Sequence, residues 1–292
     1  MIRGSMVALI TPFHEDGSVN YEKLEELIQW HIKEQTDAIL VLGTTAETPA
    51  LTVTEEDEIA RVSIQVAAGR VPIIVGSGSN NTMVAMEQSV KYEKMGADAL
   101  LVITPYYNKT NKAGMVNHFN TIADAVNIPI YVYNVPGRTG VSLTYDALKE
   151  ICKHKNIVGI KEASGDISFV TKISKLISPD FNVYSGNDDM SIPLMSMGGQ
   201  GIISVLANIL PRQTHEMAMA YLNGDTELAR KMQLYYLDFI NALFIETNPI
   251  PIKEAMNLIG MNVGGYRMPL CCMEEDTRQV LIGTMKQINL LK

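Results

Sequence analysis

The sequence predicts an α/β protein: a (β/α)8 TIM barrel with a C-terminal helical domain. Two observations carry this expectation. Eight short apolar runs recur along residues 6–208 with helix-like segments between them, and after Pro211 the strand-like runs stop while helical spacing continues.

The runs, in order, are MVALITP (6–12), AILVLGTT (38–45), VPIIVGSGS (71–79) and ALLVITPYY (99–107). They continue with IPIYVYNVP (128–136), NIVGIKEAS (156–164), FNVYSGND (181–188) and GIISVLAN (201–208). Most are rich in Val and Ile. Continuous apolar character over a short segment suits strands buried on both faces, as in a parallel sheet. Between them, YEKLEELIQWHIKEQ sets Leu24, Leu27, Ile28 and Ile32 at helical spacing. TEEDEIARVSIQVAAG has acids in its first turn and Thr54 as its expected cap. NTMVAMEQSVKYEKMG, GMVNHFNTIADAV and SLTYDALKEICKH repeat the pattern. A doubly wound open sheet is the alternative, but TPFHEDG after the first run lacks the glycine-rich fingerprint common there. Residues 212–224, 225–246, 250–262 and 273–291 read as helices, so the expected division is a barrel over 1–224 and a helical domain over 225–292.

Composition narrows the function. The chain has 292 residues, 47% of them hydrophobic, and a formal net charge of −8, which describes a folded globular protein. No basic stripe with interleaved aromatics is present, so nucleic acid is not the expected partner. Cys152, Cys271 and Cys272 are odd in number and two are adjacent, which disfavours a disulfide framework. No Cys/His spacing points to a metal. MVALI, before Thr11 and Pro12, is too short for a signal-peptide core, and no run reaches the roughly 20 apolar residues of a membrane span. The expected location is cytoplasmic.

In this fold, catalytic groups project from the C-terminal ends of the strands. The second run ends in Gly43-Thr44-Thr45 and the fourth in Thr104-Pro105-Tyr106-Tyr107-Asn108. The fifth ends in Tyr133-Asn134-Val135-Pro136-Gly137-Arg138, the sixth in Lys161-Glu162, and the seventh in Gly186-Asn187-Asp188. The inventory is hydroxyls, phenols, one arginine and one lysine. A lysine amine is a nucleophile only when neutral, and burial of a lysine favours that form. A neutral amine can add to a ketone, lose water and leave a cationic imine that acts as an electron sink. Tyr or Thr hydroxyls can move the protons without adding charge. Taken alone, Lys161 reads more often as a solvated structural lysine, Tyr-Tyr as packing, and GTT and PGR as turns. Their shared place at neighbouring strand ends favours aldolase chemistry.

GTTAETPALT, ITPYYNK, VYNVPGRTG, IVGIKEASGD and ETNPIPIKEAM together resemble the dihydrodipicolinate synthase family, within the N-acetylneuraminate lyase superfamily of class I aldolases. The resemblance spans nearly the whole chain. It implies condensation of pyruvate with L-aspartate-4-semialdehyde in the diaminopimelate and lysine pathway. It needs no cofactor beyond a covalent Schiff base, and the expected assembly is a homotetramer of two tight dimers. It further implies Lys161 as the Schiff-base lysine and Tyr133 as the central acid/base. Thr44 and Tyr107 would be relay partners, with Tyr107 entering from a neighbouring subunit. Thr45 would hold the pyruvate carboxylate, and Arg138 the semialdehyde carboxylate. Ile203, Gly186 and Asn248 would line the substrate site. Another pyruvate-dependent aldolase of the superfamily and a non-catalytic binding protein are the rival readings.

Two departures accompany the resemblance. Ala46 stands where the family's GTTGE motif has glycine. Lysine-inhibited members carry two histidines and a glutamate at the interface site, where Val53, Glu56 and Val84 stand here. Asn80 and Tyr106 remain, and Thr48 and Pro49 replace smaller residues. The resemblance therefore implies weak or absent inhibition by lysine.

Overall fold

The computed structural model describes residues 2–292. Eight parallel strands close into a barrel in chain order: β1 (Gly4–Ala8), β2 (Ala38–Val41), β3 (Ile73–Gly76), β4 (Ala99–Ile103), β5 (Ile130–Asn134), β6 (Ile157–Glu162), β7 (Asn182–Ser185) and β8 (Gly201–Ser204). Each lies within its apolar run except β1, which starts at Gly4, two residues before MVALITP. The runs overshoot because the chain turns once its side chains reach the barrel rim. After β2, Leu42 takes φ 56° and residues 44–46 form a 3-10 turn. Closure is tight where β8 meets β1. A Cβ on Gly201 would lie 1.9 Å from the Gly4 carbonyl oxygen, so only glycine fits.

The helices are α1 (Tyr21–Lys33), α2 (Val53–Ala67), α3 (Thr82–Met95), α4 (Lys112–Asp124), α5 (Pro136–Thr139), α6 (Tyr145–Ile151), α7 (Ile167–Ile173), α8 (Ser191–Ser196), α9 (Pro211–Leu222), α10 (Thr226–Ala242), α11 (Ile250–Leu258) and α12 (Glu275–Gln287). Most long helices start at a polar cap, such as Asn20 for α1, Asn81 for α3 and Asn111 for α4. The cap of α2 is Thr52, not Thr54. Thr52 forms a reciprocal capping box with Glu55, and Arg267 grips the same Glu55 carboxylate, which fixes the start two residues earlier.

Strand alternation yields two apolar layers. Met6, Leu40, Ile74, Leu101, Tyr131 and Tyr184 fill the barrel interior, while Val7, Ile39, Val75, Leu100, Val132 and Ile160 meet the surrounding helices. Both faces are apolar, which is why the strands read as unbroken runs. Phe239, Leu243, Ile252, Met256, Leu281 and Met285 from the C-terminal helices join the outer layer. No helix among the described residues is long and apolar enough to cross a membrane.

Candidate active site

β5 and β6 pair with Tyr133 opposite Lys161 and Asn134 opposite Glu162. The pleat therefore puts Tyr133 and Lys161 on one face and the other two on the opposite face. Tyr133 belongs to the interior cluster, so Lys161 points inward at its rim. Lys161 is only 5% exposed, and its Nζ lies 4.5 Å from the centre of the Tyr133 ring. Glu162 is occupied elsewhere. Its carboxylate accepts from Asn134 Nδ2 at 2.8 Å and from Ser164 N at 2.6 Å. Burial holds the Glu162 carboxyl above the ordinary carboxylate range, with those bonds opposing.

Gly186, after β7, makes room for the lysine. A Cβ there would stand 3.1 Å from both Cγ and Cε of Lys161. Ile203 on β8 is fully buried in the same interior cluster as Tyr133.

The facing wall is the 44–46 turn. Thr45 is buried, and Asn248 Nδ2 donates to its Oγ1 at 2.9 Å. Arg138, on α5, donates from Nη2 to the Asn248 carbonyl at 2.8 Å. Asn248 thus bridges the two groups expected to bind carboxylates, and its buried Oδ1 has no partner. A cavity of about 380 Å³ opens above, with Thr44, Tyr133 and Arg138 in its wall. Lys161, Thr45, Gly186, Ile203 and Asn248 are not in that wall, but the contacts just described join them to it.

The same cavity extends to Thr48, Pro49, Glu56, Val84 and Tyr106. Val53 and Asn80 do not line it. Glu56 receives only long contacts, from Gln88 Nε2 at 3.4 Å and Tyr92 Oη at 3.5 Å. Burial raises its carboxyl above the ordinary range. Tyr107 stays apart from the other site residues. It is 92% exposed and sits at φ 65°, a conformation that an exposed tyrosine rarely keeps without a reason.

Two carboxylates had no role assigned from sequence. Asp188 is fully buried and accepts from Ser204 Oγ, Val205 N at 2.9 Å and Leu206 N at 3.2 Å, tying the end of β7 to the end of β8. Burial raises its carboxyl, while these bonds and the charge of Lys161 oppose the rise. Glu47 is paired with Lys253, 206 residues away in sequence. Asp188 was visible only as one more residue at a strand end, and no sequence signal marks the Glu47 pairing. Among the described residues, no three His, Cys, Asp or Glu side chains are grouped as a metal would require.

A buried amine with a phenol against it, at the C-terminal mouth of a parallel barrel, is the equipment of an aldolase-type lyase. Comparison with known proteins carries this further. The family model described as "Dihydrodipicolinate synthetase family" matches residues 1–288, and the chain belongs to that family. It is similar to the 4-hydroxy-tetrahydrodipicolinate synthase of Thermoanaerobacter sp. (strain X514), 53% identical over 293 residues that cover 100% of this chain and 98% of the relative. It is likewise similar to the enzyme of that name from Clostridium perfringens (strain SM101 / Type A), 51% identical over 292 residues and covering 100% of both chains. Among solved structures, the chloride-inhibited dihydrodipicolinate synthase from Acinetobacter baumannii, complexed with pyruvate, superposes with a TM-score of 0.97. That chain is 39% identical, and the match covers 100% of both. The protein is thus a lyase of lysine and diaminopimelate biosynthesis that acts on small molecules.

Proposed function

We propose that the protein condenses pyruvate with L-aspartate-4-semialdehyde through a Schiff base on Lys161. The observation that carries this reading is the buried Lys161 amine standing over the Tyr133 ring at the barrel mouth. The neutral amine adds to the ketone carbon of pyruvate. The carbinolamine takes a proton and loses water, leaving a protonated imine. Loss of a proton from the adjacent methyl group gives an enamine, whose carbon attacks the semialdehyde's aldehyde carbon. The amino group of the semialdehyde part then attacks the imine carbon, closes the ring and releases Lys161.

Tyr133 would move these protons, a role supported by its ring lying against the Lys161 amine, and Thr44 shares the cavity wall with it. Tyr107 would complete the relay from a second copy. Its exposed, left-handed loop supports that role, as well as assembly as a homotetramer of dimers. Thr45 with nearby backbone N–H groups would hold the pyruvate carboxylate. Arg138 would grip the second carboxylate through its paired N–H groups. Gly186, Ile203 and Asn248 complete the substrate site. No cofactor is required, because the covalent imine supplies the electron sink. The barrel 1–224 would carry the chemistry, and the helical domain 225–292 would brace it, with the seam at Gly224–Asp225, where Asp225 caps α10. The reading places the enzyme in the cytoplasm.

The test is product formation. Pyruvate with L-aspartate-4-semialdehyde should give the cyclised product, whereas N-acetylneuraminate should not be cleaved. Cleavage of the sugar acid without use of the semialdehyde would replace this reading with the sugar-acid aldolase.

A further inference from the structure

Glu47 follows the turn that carries Thr44 and Thr45, at φ 57°. This left-handed conformation persists in a non-glycine residue only where the surroundings impose it. Here they come from the far end of the chain. Lys253, on α11, donates to Glu47 Oε1 at 2.8 Å and to the Thr11 carbonyl at 3.0 Å. Arg267 N donates to Glu47 Oε2 at 3.0 Å. Thr11 Oγ1 donates to the Ala46 carbonyl at 2.7 Å, closing the loop of contacts on the turn. The Lys253 and Glu47 side chains are 0% and 1% exposed, and Lys253 Nζ lies 4.2 Å from the Phe13 ring centre.

A buried ion pair is a poor way to gain stability alone, since desolvation offsets much of the attraction. What it does supply is a fixed geometry. The segment around α11 delivers two ties to one turn: Asn248 to Thr45 and Lys253 to Glu47.

We propose that Lys253 and Glu47 are positioning residues that hold the Thr44–Thr45 turn in register with Lys161, and so set how readily the site takes the ketoacid carboxylate. The inference rests on the Schiff-base reading above. Neither residue touches substrate; both act through Thr45.

The experiment uses three full-length variants: Lys253→Met, Glu47→Gln, and the two combined. Each is followed by thermal unfolding and by borohydride trapping of pyruvate on Lys161 over a range of pyruvate concentrations. The half-saturating semialdehyde concentration is measured alongside. The double variant leaves no lone buried charge, so it recovers thermal stability relative to Lys253→Met. It should still need about tenfold more pyruvate for half-maximal trapping, because the tie itself is gone. Its half-saturating semialdehyde concentration should stay within about twofold of wild type. Glu47→Gln, which keeps the shape and one acceptor, should fall between. If Lys253→Met does not fold, the other two variants carry the test. Folded variants with unchanged pyruvate dependence, or equal losses for both substrates, would overturn the proposal. Failure of the wild-type protein to trap pyruvate would instead remove the Schiff-base reading itself.

Discussion

Replacing Gly186 by alanine tests whether the space beside Lys161 matters for its chemistry. The backbone there lies outside the left-handed region, so alanine costs nothing through conformation, and the effect is steric. The new methyl carbon would stand 2.6 Å from Ala163 Cβ and 3.1 Å from Lys161 Cγ and Cε. Ordinary carbon contacts begin at about 3.5 Å, so the overlap is about 1 Å at Ala163 and about 0.4 Å at Lys161. Ala163 directly follows β6, with its N–H held by the Asn134 carbonyl at 2.9 Å, and the carbonyl of its neighbour Glu162 accepts from Gly186 N at 2.7 Å. The lysine stem is the softer of the two and will give way. A misplacement of about 1 Å costs about 100-fold in rate, so a lysine shift of about 0.4 Å should lower kcat/KM for pyruvate about 10-fold. In energy this is about 1.4 kcal/mol of transition-state stabilisation. Overpacking should also reduce stability by about 1–3 kcal/mol. Initial trapping rates at low pyruvate measure the first effect, and urea unfolding measures the second. A folded variant with wild-type trapping would refute the reasoning, because the methyl would then be accommodated without moving the amine.

Three further outcomes are expected. Arg138→Ala should leave the pyruvate adduct intact but lower the use of semialdehyde about 100-fold, the value of losing charged hydrogen bonds; equal loss of both would contradict the division of labour. Lysine should inhibit weakly or not at all, because Val84 offers no acceptor to an ammonium group; half-inhibition below about 1 mM in a steady-state assay would contradict this. His31 is fully buried with its imidazole pushed down to about 3, so the folded state binds fewer protons than the unfolded one below pH 6.5. That contribution is complete above pH 6.5 and is lost as pH falls toward 3. The stability advantage of wild type over His31→Gln in urea should therefore shrink by about 2 kcal/mol between pH 7 and pH 5; an unchanged advantage would contradict the assignment.

The barrel was legible because every strand is apolar on both faces, so each appears as an unbroken run that periodicity alone can locate. The rim was less legible. Runs such as AILVLGTT continue past β2, since nothing in their composition marks the change to left-handed backbone at Leu42. Lys161 stood out as a lysine ending a buried run, and the register of β5 with β6 shows why Tyr133, not Glu162, is its neighbour. The supports were not legible at all. Lys253 with Glu47, Asn248 with Thr45, and Asp188 with the end of β8 join segments whose contact follows only from the closed barrel. The α2 cap differs from these, because its signal is local: Thr52 has Glu55 three residues on, the capping-box spacing, whereas Thr54 has Asp57. Arg267, more than 200 residues on, grips the same Glu55.

The central claim is that Lys161 forms the imine. Incubation of the purified protein with pyruvate and borohydride, followed by peptide mass spectrometry, tests it most directly. The account predicts a single reduced pyruvyl adduct on Lys161 that is absent from Lys161→Ala. No adduct, or an adduct on another lysine, would contradict it.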